Sequence, residues 1–359
     1  MFMPPKFIDL FCGIGIGASG FVKAGFDLLT GVDSDAKACE VFETNLGVIP
    51  IVGDLREITG EDILRVVGLK RGELDLCVGC PPCQGFSSLR RTRLEKWQKD
   101  SRKSYLELFG ERIQELFPKV VVLENVRGLN IGPNRRFLNR FLKRLKSLGY
   151  EFVCDVLDAA DFGVPQHRKR LIMIASRIGT PSLPEPSHFD PAKTKRVRRW
   201  RNVRDAIGDL PRLGSGEKHD SISLHEAADH AESVLRLIRN IPRNGGSRTS
   251  LPRRLWLPCH KELARKNQRG AESIYGRMRW NSPSPTMTTR CNGPSAGRFL
   301  HPEQNRGITL REAARLQTIP NGFDIPGHKE NVASWIGNAF PLGFAKSLGD
   351  SIMDDFWAR

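Results

Sequence analysis

The sequence predicts an α/β fold: a mostly parallel sheet with helices on both faces, and a smaller mixed domain after it. Three observations predict it. Short apolar runs alternate with helical patterns through about residue 176. Glycines and carboxylates recur just after those runs end, at the carboxyl edge where such sheets bind ligands. After Arg177 the periodic pattern gives way to proline and glycine punctuation with many basic residues.

The elements follow in order. Residues 7–12 read as a buried strand, with Gly13, Gly15 and Gly17 after it and a short helix over 18–25. Residues 26–32 form a second strand ending at Asp33, and 36–45 a helix. A short strand at 50–52 leads into Gly53-Asp54, and a strand at 74–78 runs into Gly79-Cys80-Pro81-Pro82-Cys83. Residues 105–116 are helical, and 119–123 form a strongly apolar strand ending at Glu124-Asn125. Apolar residues at 137, 138, 141, 142, 145 and 148 predict an amphipathic helix. Strands at 151–157 and 170–175 close the region. Beyond it the pattern predicts helices at 224–239, 310–316, 331–336 and 342–356.

The chain has 359 residues and a formal charge of +16, which favours a polyanionic partner. Residues 177–280 hold 22 Lys+Arg against 11 Asp+Glu. With glycine, proline and lone aromatics interleaved, that excess reads as a nucleic-acid backbone surface rather than a merely solvated face. The apolar runs are too short for a membrane span, and no signal-peptide pattern opens the sequence. Eight cysteines in a chain of this length read as reduced thiols of a cytoplasmic protein.

Glycines between a strand and a helix permit a tight turn and close backbone approach to a ligand. Asp33 at the next strand end suits ribose hydroxyls, and Asp54 after the third suits an adenine amino group. Together they indicate an adenosine-containing cofactor, with nicotinamide dinucleotides still open on this evidence. Cys77, Cys80 and Cys83 have a spacing that metal sites use. The Pro-Pro spacer and the absence of a nearby fourth cysteine count against a metal, and none is expected. The alternative makes Cys83 a nucleophile, its thiol aimed by the rigid Pro81-Pro82 step. Glu124 does not activate a thiol by charge. It suits a proton or amino group on a polar heterocyclic substrate.

These motifs, in this order, resemble those of the DNA cytosine-5 methyltransferases. Asp9 to Gly15 is similar to the family's S-adenosylmethionine loop, Gly79 to Ser87 to its Pro-Cys loop, and Glu124-Asn125-Val126 to its glutamate motif. Gln166 to Arg170 is similar to its Gln-x-Arg-x-Arg motif, Arg311 to Gln317 to the segment after the recognition domain, and Gly337 to Pro341 to its closing motif. The resemblance spans roughly residues 7–345. It implies a Rossmann-like methyltransferase sheet, with residues 1–178 as catalytic and cofactor-binding domain. Residues 179–305 would be the DNA target-recognition domain, and 306–359 would return to the catalytic domain. It implies S-adenosylmethionine as cofactor and a flipped-out cytosine as substrate.

By the same resemblance Cys83 adds to ring carbon 6 and Glu124 bonds ring nitrogen 3 and the amino group. Arg170 contacts the cytosine carbonyl, and Arg168 lies near the thiolate and the DNA backbone. The cofactor would meet Phe11, Gly13, Ile14, Gly15, Asp33, Ser34, Asp54, Leu55, Pro81 and Asn338. The expected DNA contacts are Gln84, Ser87, Arg91 and Arg93 near the nucleophile, and Arg196, Arg198, Arg254 and Arg290 in the middle domain. Arg243, Arg248, Arg253, Arg277 and Arg279 are further candidate base readers, though arginine meets phosphate as readily.

There are departures. Ile16 interrupts the usual glycine run, Cys80 replaces a frequent glycine, and Thr318-Ile319-Pro320 replaces Gly-Phe-Pro, which reads as local packing. The implied partner is double-stranded DNA, with no membrane, for a monomeric, cytoplasmic, DNA-associated prokaryotic protein. A cognate restriction endonuclease acting on the same site is admitted. Methylation of RNA by a similar fold, and a DNA-binding scaffold without catalysis, stay open as alternatives.

Overall fold

The structure, a computed structural model, describes residues 3–82, 104–193, 198–266 and 273–357. The chain divides into two compact units. The first comprises Met1–Phe162, Lys169–Pro186 and Phe340–Arg359, and the second Gly163–Arg168 and Ser187–Ala339.

The first unit is a seven-stranded sheet with strand order β3-β2-β1-β4-β5-β7-β6. Its strands are β1 (Lys6–Leu10), β2 (Asp27–Asp33), β3 (Ile51–Val52), β4 (Leu76–Gly79), β5 (Val120–Val126), β6 (Glu151–Asp158) and β7 (Lys169–Ser176). Its helices are α1 (Ile16–Lys23), α2 (Ala36–Leu46), α3 (Gly60–Val67), α4 (Ser104–Leu116) and α5 (Arg135–Ser147). All neighbouring strands are parallel except at β7, which runs antiparallel to β5 and β6. Residues 120–123 of β5 are wholly buried, as a strand covered on both faces requires.

One face of the sheet packs on α3, α4 and α5. Ile63, Phe109, Ile113, Phe141 and Leu145 meet Ile8, Leu10, Cys77, Val121 and Leu123 there. Cys77 is thus a core residue. The other face carries α1 and the final helix of the chain, residues 342–356, which lie against one another. Gly20 makes that approach possible, since a Cβ there would sit 2.5 Å from the Cβ of Ala345.

The second unit holds α6 (Val203–Ile207), α7 (Glu232–Asn240), α8 (Pro258–Arg265), α9 (Leu310–Leu316) and α10 (Lys329–Asn338). The last helix, α11 (Leu342–Phe356), belongs to the first unit. Residues 306–339 therefore group with the middle of the chain, and only those from Phe340 group with the sheet. The reason is chemical. Gln166 Nε2 donates to the Gln317 side chain at 3.0 Å and to the Leu316 carbonyl, and Gln317 in turn donates to the Ile336 carbonyl.

Three other readings change. The helix expected over 224–239 begins only at Glu232, because the preceding residues pair with an earlier segment: the Ala227 amide donates to the Glu217 carbonyl at 2.8 Å and the His219 amide to the His225 carbonyl at 3.0 Å. Arg277 and Arg248, read as DNA contacts, are buried. The Arg277 guanidinium donates to the carbonyls of Ile238, Ile241, His301 and Gln304, and burial brings its pKa down to about 10. It holds the unit's core together. Finally, Thr318 is a backbone effect and not packing: its φ is 60°, a region costly for a β-branched residue. Thr318→Gly is expected to raise stability by roughly 1 kcal/mol, the strain relief exceeding glycine's entropy cost. An unchanged or lower midpoint in urea would contradict this.

Candidate active site

The strand order reverses at β1, and the loops after β1 and β4 leave the sheet side by side at that point. The Cys80 amide donates to the Leu10 carbonyl at 3.3 Å. Ligands of open α/β sheets bind at such a switch point. The first loop has alternating backbone handedness: Phe11, Gly13 and Gly15 have φ of 68°, 52° and 84°. This is why β1 stops at Leu10 and not Cys12. Alternation of this kind gathers backbone N–H groups into an anion-binding turn. A Cβ on Gly13 would meet nothing within 4 Å, so the backbone there faces open space. Ile14 is buried beneath the turn.

Asp33 ends β2 and ties it to this loop. Its Oδ2 accepts the Gly13 amide at 2.8 Å and its Oδ1 the Asp35 amide at 2.9 Å. Burial raises its pKa, and the amides of Asp35, Gly13 and Ser34 work against that. These amides use at most three of the four acceptor positions of a carboxylate. Ser34 is exposed.

Asp54 follows β3, with Leu55 buried beside it. Its Oδ1 accepts the Arg56 amide at 2.9 Å and Arg56 Nε at 3.1 Å, and its Oδ2 accepts Arg56 Nη2 at 2.7 Å and the Tyr105 hydroxyl at 2.8 Å. The Arg56 guanidinium, before all else, holds the carboxyl well below the usual range. Tyr105 also meets the Phe11 ring edge-on at 5.8 Å.

At the end of β5 the antiparallel register sets Val126 opposite Arg170. Glu124 shares the face of Val126, so it is the diagonal neighbour of Arg170. Arg170 Nε lies 2.8 Å from Glu124 Oε1, with both side chains mostly buried. Asn125, on the opposite face, donates from Nδ2 to the Pro81 carbonyl at 3.1 Å, fixing the start of the Pro-Pro-Cys loop. Pro81 is buried. Cys83, Gln84, Ser87, Arg91, Arg93 and Arg196 lie outside the described residues.

In the second unit Arg168 is buried, and its guanidinium donates to the carbonyls of Met287 and Gly337 at 3.1 and 3.0 Å. These bonds bind Arg168 to the body of that unit, while Arg170 belongs to β7 of the first. Asn338 is the exposed last residue of α10. Arg198, Arg254 and Arg290 are exposed.

Sequence reasoning missed three residues here. Asp9 is buried in β1 with Oδ1 unpartnered, and burial raises its pKa strongly. A carboxylate inside an apolar strand was the available signal. Arg56 and Tyr105 gave none, because Tyr105 reaches Asp54 across 51 residues.

The sheet, the glycine turn and the acidic strand ends define a Rossmann-like methyltransferase fold. Residues 5–354 match the family model for C-5 cytosine-specific DNA methylase, and the chain belongs to that family. It is 34% identical over 352 residues to the Type II methylase M.HgiDII of Herpetosiphon aurantiacus, covering 96% of this chain and 94% of that one. It is 33% identical to the Type II methyltransferase M.XorII of Xanthomonas oryzae pv. oryzae, over 97% and 84% of the two chains. Its fold is similar to that of a prophage-encoded DNA modification methyltransferase of E. coli, with a TM-score of 0.74 and 21% identity over 98% and 99% of the chains. Membership assigns it cytosine-5 DNA methylation chemistry dependent on S-adenosylmethionine.

The first unit's residues fit that cofactor. The left-handed turn with open space before Gly13, the spare acceptor capacity of Asp33 and the unpartnered Oδ1 of Asp9 suit a ligand with a ribose and a charged amino-acid end. Among the described residues, no helix is long and apolar enough to cross a membrane.

Proposed function

We propose that the chain methylates carbon 5 of a cytosine flipped out of duplex DNA, at one particular sequence, through a covalent Cys83 adduct. The observation that carries this reading is the Arg170–Glu124 pair at 2.8 Å. A carboxylate held by a guanidinium, beside the strand end that anchors Pro81, is arranged to meet a ring rather than to activate a thiol. The Cys83 thiolate adds to ring carbon 6. The Glu124 carboxyl, carrying a proton drawn from solvent, donates it to ring nitrogen 3 and accepts from the amino group, so the negative charge that develops as the thiolate adds is met by a proton. Arg170 fixes Glu124 and offers its remaining donors to the ring carbonyl. When bound, S-adenosylmethionine supplies an electrophilic methyl group for carbon 5. Asp33 accepts from the ribose hydroxyls, Asp54 from the adenine amino group, and the turn from Phe11 to Gly15 faces the methionine end. The carbon-5 proton then leaves to solvent, its electron pair restores the ring double bond, and Cys83 is expelled as the thiolate that entered.

The second unit reads the DNA sequence, with Arg198, Arg254 and Arg290 as exposed candidates for phosphate or base contact. The protein acts as a monomer on double-stranded DNA. The relatives bear Type II names, which supports a cognate restriction endonuclease acting on the same site. Bisulfite or nanopore sequencing of DNA from cells expressing the protein tests the whole reading. One sequence context should carry 5-methylcytosine at every copy. Its absence from all contexts would refute the assignment.

A further inference from the structure

The bonds of Asp54 conflict with its part in binding adenine. An ionised carboxylate has about four acceptor positions. Here four donors address its two oxygens: the amide, Nε and Nη2 of Arg56, and the hydroxyl of Tyr105. An incoming amino group finds the acceptors taken.

The four donors are not equally fixed. The Arg56 amide belongs to the backbone turn that follows Asp54, with the Glu57 and Ile58 amides donating back to the Asp54 carbonyl at 2.9 and 3.1 Å. Tyr105 is only partly exposed, its ring against Phe11, and it accepts from Arg56 Nη2 at 3.0 Å while donating to Asp54. The Arg56 side chain is 54% exposed and can return to water at little cost.

We propose that Arg56 is a displaceable occupant of the adenine site, whose guanidinium must leave Asp54 before the cofactor's amino group can bind there. The inference rests on the adenine role of Asp54 proposed above. Arg56 is then a specificity-determining residue: it keeps the carboxylate paired until a nucleoside displaces it and sets the affinity that nucleoside must exceed. Tyr105 stays and orients the carboxylate throughout.

The test is calorimetric titration of the full chain with S-adenosylhomocysteine, without DNA. Arg56→Met keeps the apolar stem and removes the competing charge. It is expected to bind about twofold to fivefold more tightly, the range an exposed ion pair supplies. Raising the salt from 0.05 to 0.5 M, roughly a threefold change in Debye length, screens exposed pairs. It should narrow the gap between wild type and Arg56→Met. Asp54→Ala should bind more weakly than wild type, and adding Arg56→Met to it should then change nothing. Equal or weaker binding by Arg56→Met, with Asp54→Ala still impaired, overturns displacement and leaves the adenine role of Asp54 standing. Full affinity in Asp54→Ala overturns that role itself.

Discussion

Cys83→Ala is expected to abolish methyl transfer to duplex DNA, and Glu124→Gln to slow it by about 10²–10³-fold while leaving S-adenosylhomocysteine affinity unchanged. The two losses differ in kind. Without the thiol no bond forms at ring carbon 6, and carbon 5 never becomes nucleophilic enough to take a methyl group. With glutamine at 124 the thiol still adds, but an amide cannot deliver a proton to ring nitrogen 3 as negative charge grows on the ring, which the carboxyl held by Arg170 at 2.8 Å can do. Methyl incorporation from labelled S-adenosylmethionine measures both rates. Duplex DNA carrying 5-fluorocytosine separates the roles, since fluorine cannot leave as the carbon-5 proton does and the adduct persists. Wild type should give a protein–DNA band stable to detergent, Glu124→Gln the same band more slowly, and Cys83→Ala none. A band from Cys83→Ala, or methylation at the wild-type rate, would exclude the covalent route.

The strand ends that carry this chemistry were legible because each announces itself locally. A carboxylate directly after four buried apolar residues, as at Glu124, has to be functional or paired, and here it is paired. The glycine turn was legible for a similar reason, although its left-handed Phe11 was not: no side-chain signal marks a phenylalanine for φ 68°. Helix α3 went unread despite the Thr59–Asp62 capping box, since Gly60 at its first position argues against a helix. The middle unit was read too simply as a charge field. Several of its arginines spend their charge internally: Arg277 on carbonyls, Arg306 on Glu312 and Arg199 on Asp205. Composition counts such groups as free. Only tertiary contacts between residues far apart in sequence distinguish an arginine that holds the unit together from one that faces solvent.

Burial of a histidine among those internal charges is expected to make the second unit lose stability on acidification from above the carboxylate range. His301 is buried, and its Nδ1 accepts the amides of Glu303 and Gln304 at 3.1 and 2.9 Å. Protonating it would turn an acceptor into a donor facing two donors. Burial first, then the charges of Arg306, Arg277 and Arg212 against the opposing pull of Glu312, brings its pKa down to about 3. The folded state thus binds fewer protons than the unfolded one. The stability this group contributes is complete above its ordinary value of 6.5 and is lost as the pH falls toward 3. The loss is on the order of 4 kcal/mol across that window. His225, His230 and His260 are also held low by burial and add slope of the same sign.

Glu312 acts lower on the scale. Burial raises its pKa, but the two 2.8 Å bonds from Arg306 outweigh burial and leave it depressed. Its contribution therefore survives down to its ordinary value of 4.5 and fails beneath it. Trp280 lies ring to ring with His301 at 5.2 Å, so its fluorescence contributes to the signal of the unit's transition. Urea unfolding of wild type should show the unit's stability falling continuously from pH 7 to 4. His301→Asn keeps an acceptor near Nδ1 and cannot titrate, so it should flatten that slope. Glu312→Gln strands the buried Arg306 charge and should cost about 3–5 kcal/mol at pH 7. An unchanged slope in His301→Asn would place the acid sensitivity elsewhere in the unit. A loss below about 1 kcal/mol in Glu312→Gln would mean the Arg306 charge finds other partners.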